Sequence, residues 1–435
     1  MSGRMGSGRR ALAVQGLVLL ASFAPAVTAA QTVAITNATV YPVSGPKLAG
    51  ATVLMRDGRI AAVGTVVTIP ANARMIDGTG KVVTPGLLHV QGALGLGVGR
   101  ALAEESDEEY TAIGGTTDGE HEGEVSPAFN VLAAIDPNAV AIPVARMGGV
   151  TSALTMPTSG LVAGQAVMIH LAGQHTADMV LLTPAAMVAD LGDGSRTAGG
   201  GSRAGALARL RTLFTDAATL RRRRGDYDQN RIGLLSAPAE QLEALYPVLD
   251  GRLPLYVNAN RQSDIENTLA LAADFRLRVI LRGGAEAWRV AAQIVRAGVP
   301  VVIDTRDNIP SFDGLQARSD NATLLREAGV TVILAGQDPG GQMNLRFEAG
   351  HAVRNGMKWD DALEAITAAP ARAFGLADRL GTLEPGKVAD VVVWGGDPFE
   401  FSTAAELVFI DGAEVSLRSR MTELRDRYKT LPPTY

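Results

Sequence analysis

Between residues 87 and 370 the chain alternates short β-rich runs with helix-like segments. The runs at Thr151 to Met156, Leu255 to Val257, Arg278 to Leu281, Val301 to Ile303 and Thr331 to Leu334 are interleaved with helical patterns at Ile265 to Phe275, Glu286 to Arg296 and Ala317 to Ala328. This repetition calls for parallel strands, because each helical crossover returns the next strand in the same sense. A closed (β/α)8 TIM-like barrel is the expected α/β solution. An open doubly wound sheet competes with it, but no Gly-rich phosphate loop stands in the strand-to-helix context that fold uses. With 435 residues the chain is long enough to bury the large core a barrel requires.

Strand-only segments bracket the repeat. Before it come Val33 to Thr36, Ala38 to Tyr41, Ala51 to Met55 and Ile60 to Val63, with Asp57-Gly58 as a hairpin signal. After it come Val388 to Trp394 and Leu407 to Gly412, then a charged amphipathic helix over Leu417 to Tyr428. Two segments read as insertions: a Gly-rich flexible loop at Ala189 to Gly205, and an arginine run at Leu220 to Arg224. That run is read as a solvated face complementing a helix dipole.

The N-terminus reads as a secretory signal peptide over residues 1–30. Arg4, Arg9 and Arg10 precede a short apolar run from Ala11 to Phe23, and Thr28-Ala29-Ala30 offers small residues for cleavage. A periplasmic or secreted location follows, with no membrane span after cleavage. The absence of cysteine is compatible with export for a domain of this size. The chain carries a net charge of −5, and losing three arginines makes it more acidic still, which argues against nucleic acid as a partner.

Several motifs resemble one family when taken in order. Thr84-Pro85-Gly86-Leu87-Leu88-His89-Val90-Gln91-Gly92-Ala93 resembles the first-strand signature Pro-Gly-Leu-Ile-Asp-x-His-x-His of the amidohydrolase superfamily. Asp57-Gly58-Arg59-Ile60, Asp77-Gly78-Thr79-Gly80-Lys81, Gly149-Val150-Thr151-Ser152 and the run from Gly381 to Val393 are similar to its imidazolonepropionase-like secreted or periplasmic branch. The resemblance covers residues 32 to 412. It implies a (β/α)8 barrel at 87–378 and a small β-sandwich built from both chain ends, 31–86 and 379–415. A C-terminal helix and tail would occupy 416–435.

Members of that family hydrolyse C–N bonds, often in cyclic amides, with zinc held by histidines and one aspartate. The resemblance implies that most of these ligands are replaced here. Gln91 and Ala93 stand at the first pair. Asn258, in Asn258-Ala259-Asn260-Arg261, stands at the next, and Gly283 or Arg282 at the one after. Asp338 alone is retained, as metal ligand and proton acceptor in active relatives. His89 takes the place of the motif's aspartate and is read as a satisfied polar side chain. No resident cofactor is expected. The acidic loop Asp118 to Glu124, around His121, is read as solvated. His170 and His175 flank an expected hairpin turn, and His351 is placed at a helix start after Gly350; none of the three is given chemistry.

Three readings stand on these residues. The barrel mouth retains a small-ligand pocket for a cyclic amide or peptide-like compound, with Asn258, Asn260, Arg261 and Arg282 as donors and hydrolysis lost. The chain is instead an active hydrolase with a non-standard site. Or it is a structural partner, as a homo-oligomer or beside an active paralogue.

Overall fold

Two eight-stranded sheets organise the protein. The structure is a computed structural model and describes residues 32–96, 125–158, 160–336 and 341–429. The expected signal peptide, the loop around His121 and Asp338 lie outside these residues.

The first sheet begins with β1 (Val33–Val40), β2 (Leu48–Arg56), β3 (Arg59–Gly64), β4 (Arg74–Asp77) and β5 (Val82–Pro85). β2 runs antiparallel along one edge of β1. The other edge is shared, with β4 pairing residues 33–36 and β5 pairing residues 39–40. The switch falls where Asn37 adopts a φ of 58° and the register is interrupted. A bulge of this kind bends a strand and lets one sheet fold over its own core.

The second sheet contains β6 (Leu87–His89), β7 (Val150–Thr155), β8 (Val162–His170), β9 (Val180–Asp190), β10 (Leu255–Ala259), β11 (Val279–Gly283), β12 (Val301–Ile303) and β13 (Val332–Leu334), in sequential order. Seven strands point the same way. β8 is antiparallel to both of its neighbours, so one position of the TIM-like barrel is filled by a meander rather than a βα unit. The ends of the sheet approach each other: His89 Nε2, at the end of β6, lies 3.1 Å from the carbonyl oxygen of Gly336, just past β13.

Alternate strand residues sort into two buried layers. Met187, Ala189, Leu255, Val257, Val279, Leu281, Val301 and Ile303 pack with helix residues on the outside. Leu88, Val90, Val188, Tyr256, Ile280, Val302 and Ile333 form the interior, together with Phe374 and the alanines of 369–373. Burial on both faces explains why these runs are nearly continuous in apolar residues. The segment 373–379 lies against strand starts at the bottom, where Arg278 donates to the Ala373 carbonyl and Arg379 to that of Leu181.

β14 (Val391–Trp394), β15 (Ala405–Ile410) and β16 (Ala413–Glu414) return to the first sheet, with β14 antiparallel to β5. Val33, Ile35, Val53 and Met55 from the N-terminal strands share a core with Val391, Val393 and Phe409. The expected hairpin at Asp57-Gly58 has φ values of 54° and 74°, as a primed turn requires. It meets a second such turn at Asp411-Gly412. A Cβ on Gly58 would lie 2.8 Å from Asp411 Oδ1, and one on Gly412 2.8 Å from the Gly58 Cα, so glycine alone fits there. Two further motif glycines are explained by contact. A Cβ on Gly86 would sit 2.1 Å from Thr151 Oγ1, and one on Gly149 2.3 Å from the Trp394 ring.

Four expectations change. The stretch 189–205 is not a flexible loop. Residues 189–190 belong to β9, two 3-10 turns follow at Asp193–Ser195 and Thr197–Gly199, and a helix starts at Arg203. That helix, Arg203–Arg222, is capped by Ser202 and buries Ala206, Leu210, Leu213, Phe214, Ala217 and Leu220, a 3.6-residue stripe. His351 does not start a helix; it lies in the last turn of Gly341–Arg354. Gly350 is tolerated mid-helix because a Cβ there would come within 3.1 Å of the Phe399 carbonyl oxygen. The pattern from 286 to 296 divides into a 3-10 turn, Ala287–Val290, and a helix, Ala291–Ala297. The pattern from 317 becomes helical only at Asn321–Glu327. The arginine run does sit at a helix end on a solvated face, with Arg221, Arg223 and Arg224 paired to Asp250, Asp226 and Asp228.

Candidate ligand site at the barrel mouth

Parallel strands aim their C-terminal ends at one face of the barrel, where sites of this fold are built. Continuing the interior parity of Val188, Tyr256, Ile280 and Val302 by two residues gives Asp190, Asn258, Arg282 and Asp304. These four stand at or within one residue of the ends of β9 to β12, in spatial order. Register confirms the adjacency, with Asn258 opposite Asp190 on one side and Arg282 on the other.

Asp190 orients this arc. Its Oδ1 accepts from the Gly192 amide at 2.6 Å and from Asn258 Nδ2 at 3.2 Å. The Asn258 and Asn260 carboxamide oxygens lean over Gly283: a Cβ there would lie 2.8 Å and 2.3 Å from them. Gly283 has a φ of +85° as well, so a side chain there would be strained and would meet both carboxamides. Of the two alternatives at 282–283, Arg282 is the one with the interior parity.

The guanidinium of Arg282 lies 5.9 Å from the centre of the Tyr256 ring. Tyr256 is wholly buried; burial pushes its phenol pKa well up, and its hydroxyl donates to the Val90 carbonyl at 2.9 Å. Arg282 is 6% exposed, and its Nε has no hydrogen-bond partner among the described residues. Gln91, one residue past Val90, is 1% exposed, and both polar atoms of its carboxamide lack a partner there. Buried polar groups are normally satisfied, so these are unusual. His89, in contrast, is satisfied by the Gly336 carbonyl and lies 3.4 Å from the Gln91 amide through Nδ1. Ala93 is half-buried, its carbonyl accepting from the Leu96 amide.

A polar network surrounds the rim. Asp313, on the connection after β12, accepts from Asn260 Nδ2 and from Arg203, each at 2.6 Å. Arg203 also binds the buried Asp264 at 2.8 Å, which in turn holds Arg261 through two bonds of 3.0 Å. An open cavity of about 660 Å³ lies beside them, lined by Asp193, Arg196, Arg203, Arg261 and the exposed Phe312. Glu348 is fully buried and caps the end of β12, accepting from the Thr305 amide at 2.9 Å, the Thr305 hydroxyl at 2.7 Å and Arg306.

The structure thus brings Asn258, Asn260 and Gly283 together and sets Arg282 over Tyr256, whose hydroxyl reaches the residue before Gln91. Asp190, Asp304, Asp313, Arg203 and Glu348 were not singled out from sequence. For Asp190 and Asp304 a signal existed, since each lies two residues beyond an interior valine in a strand of period two. No local signal marks Asp313 or Arg203, whose partners are distant in the chain.

The resemblance implies a zinc ion held by imidazoles and a carboxylate. Among the described residues no three His, Cys, Asp or Glu side chains stand together as a metal-binding group. A guanidinium in the arc repels a cation, and amides are poor zinc ligands. The described donor set does not fit a zinc ion.

Comparison with known proteins agrees with the architecture. The model of the amidohydrolase family matches residues 284–416. The amidohydrolase tasK of Hapsidospora irregularis is 26% identical over 381 residues, covering 79% of this chain but 37% of that protein. An imidazolonepropionase of Rhizorhabdus wittichii is 27% identical over 190 residues, 41% of this chain and 43% of that one. The chain therefore spans roughly two fifths of the length of these curated relatives. The crystal structure of an amidohydrolase from Thermotoga maritima superposes with a TM-score of 0.77 at 28% identity, covering 89% of this chain and all of the other. In its motif order, its barrel and its two-ended sheet, this chain is similar to the amidohydrolases.

Proposed function

We propose that the chain is a member of this superfamily of hydrolases in which metal-assisted hydrolysis is lost and the barrel mouth binds a small polar ligand. What carries this reading is the arc of Asp190, Asn258, Arg282 and Asp304 on interior positions of four successive strand ends. Carboxamides and a guanidinium supply oriented hydrogen bonds, whereas the family's chemistry needs a metal to lower the pKa of a water. The relatives named imidazolonepropionase suggest a cyclic amide or a compound of similar polarity as ligand. The apolar N-terminal run extends the proposal to an exported chain beginning near Gln31, which intact-mass measurement of the native protein would test.

Elemental analysis of the purified full chain, after dialysis against trace zinc, is the direct test. The expected result is far less than one zinc per chain and no turnover of hydantoin or dihydrouracil with or without added metal. One tightly held metal per chain, or a turnover that Asp338→Asn abolishes, would overturn the reading in favour of an active hydrolase.

A further inference from the structure

We infer that Arg282 holds the carboxylate of a small monoanionic ligand at the barrel mouth. The inference rests on the reading above that the mouth binds a small molecule, and it names the chemistry of that molecule. Three observations carry it. Arg282 is 94% removed from solvent, its Nε is unpartnered, and no described carboxylate pairs with it. A buried charge without a counter-ion is costly, and the ring of Tyr256 at 5.9 Å offsets only part of that cost. The carboxylates of its own arc are committed elsewhere: Asp190 to the Gly192 amide and Asn258, and Asp304 to the Arg306 and Asp307 amides.

Second, another buried polar side chain is left without a partner. The carboxamide of Gln91 is 1% exposed with both polar atoms unpartnered, and it adjoins the Val90 carbonyl that receives the Tyr256 hydroxyl. One guanidinium matches one carboxylate in a fork-to-fork arrangement. Third, Asp304 follows β12, the strand beside that of Arg282, and Asp190 ends β9, two strands away, so that two carboxylates share its parity. They disfavour a phosphate dianion and suit the N–H groups of an amide or amine elsewhere on the same ligand. A monoanion that also carries N–H groups fits this charge pattern.

The test uses the full chain, with acetate as the probe and acetamide as its neutral isostere, at ionic strength matched with sodium chloride. Thermal denaturation is followed for the parent, Arg282→Met and Arg282→Lys. The parent is expected to gain a saturable rise in Tm with acetate and none with acetamide. Arg282→Met should lose that response while keeping a Tm equal to or above the parent's, because a side chain without a buried charge relieves the apo protein. Arg282→Lys should keep a weaker response. Inorganic phosphate, run in parallel, should act more weakly than acetate.

An equal acetate response in parent and Arg282→Met would overturn the inference, as would no response in the parent or a stronger response to phosphate. A fall in Tm of about 10 °C or more in Arg282→Met, several kcal/mol on this scale, would also overturn it by making Arg282 structural. These failures leave the ligand-mouth reading standing. That reading falls instead on the zinc content and turnover of the unmodified protein.

Discussion

The imidazole Nε2 of His170, at the end of β8, lies 3.1 Å from Oδ2 of Asp390, the residue that precedes β14. The contact joins the barrel to the two-ended sheet across 220 residues of sequence. Both side chains are buried, Ser152 Oγ reaches the same carboxylate oxygen at 3.5 Å, and the Asp411 amide donates to Asp390 Oδ1 at 3.0 Å. Burial alone would lower the pKa of His170, but the charge and bond of Asp390, with help from Asp411 and against Arg379, raise it. Burial likewise works to raise Asp390, and His170 overrides it so that the carboxyl is held low.

The pair makes stability depend on pH with a definite sign. A raised histidine contributes fully below its unfolded value of about 6.5, and the contribution is lost as pH rises through the higher folded value. A depressed aspartate contributes above its unfolded value of about 3.9 and is lost as pH falls through the lower folded value. The pair is therefore at full strength between about pH 4 and 6.5. His170→Gln should destabilise the protein by about 3 kcal/mol in that window, since it leaves a buried carboxylate without its cation. The Tm difference between parent and variant, measured from acid to alkaline pH, should narrow above neutrality. A difference independent of pH would show that the contact is not an ion pair.

Asp313 fastens the connection after β12 across the mouth through Arg203 and Asn260. Asp313→Asn should cost about 1–2 kcal/mol, the scale of one charge-assisted bond. The larger effect should be local. Hydrogen exchange of residues 306–319 should quicken while the strands of the barrel stay protected, because the connection carries exposed Ile309, Phe312 and Leu315 and little core of its own. Uniform quickening throughout the barrel would contradict a local role.

Gly283 sits at a φ of +85° under two carboxamide oxygens. Gly283→Ala is expected to lose about 1–3 kcal/mol in urea denaturation through backbone strain and displacement of Asn258 and Asn260. It follows that restoring imidazoles to the mouth should use position 282. A variant carrying His at 91, 93, 258 and 282 should bind zinc more tightly than the parent by calorimetry. The same graft with position 283 in place of 282 should fail to gain affinity or fail to fold.

Tyr256→Phe removes the bond to the Val90 carbonyl while keeping the ring under Arg282. A loss of about 1 kcal/mol in stability is expected, as for one neutral hydrogen bond. The acetate response should persist, because the face of the ring remains. Its disappearance would mean that the hydroxyl, and not the ring, positions the guanidinium.

Much of the architecture was legible from local pattern. Period-two runs buried on both faces locate the strands, and the glycines of Asp57-Gly58, Pro85-Gly86 and Gly149-Val150 stand where a positive φ or a close approach excludes a side chain. The return of 388–394 beside the N-terminal strands was anticipated from motif order and is realised in the pairing of β14 with β5. The turn expected between His170 and His175 does separate the antiparallel β8 and β9; less legible was the helix through Gly350, a residue that weakens helices, where a Cβ would come within 3.1 Å of the Phe399 carbonyl oxygen.

At the mouth the division is sharper. Residue identity by itself determined that Gln91, Asn258, Arg282 and Gly283 stand inside motifs readable one at a time. Only the tertiary structure set Arg282 on the interior parity, paired His170 with Asp390, and assembled Asp190, Asn258, Arg282 and Asp304 into one arc. Side-chain parity is set by register with neighbouring strands, and ion pairing by contacts hundreds of residues apart. Neither is written in a local run of sequence, so both had to wait for the sheet to form.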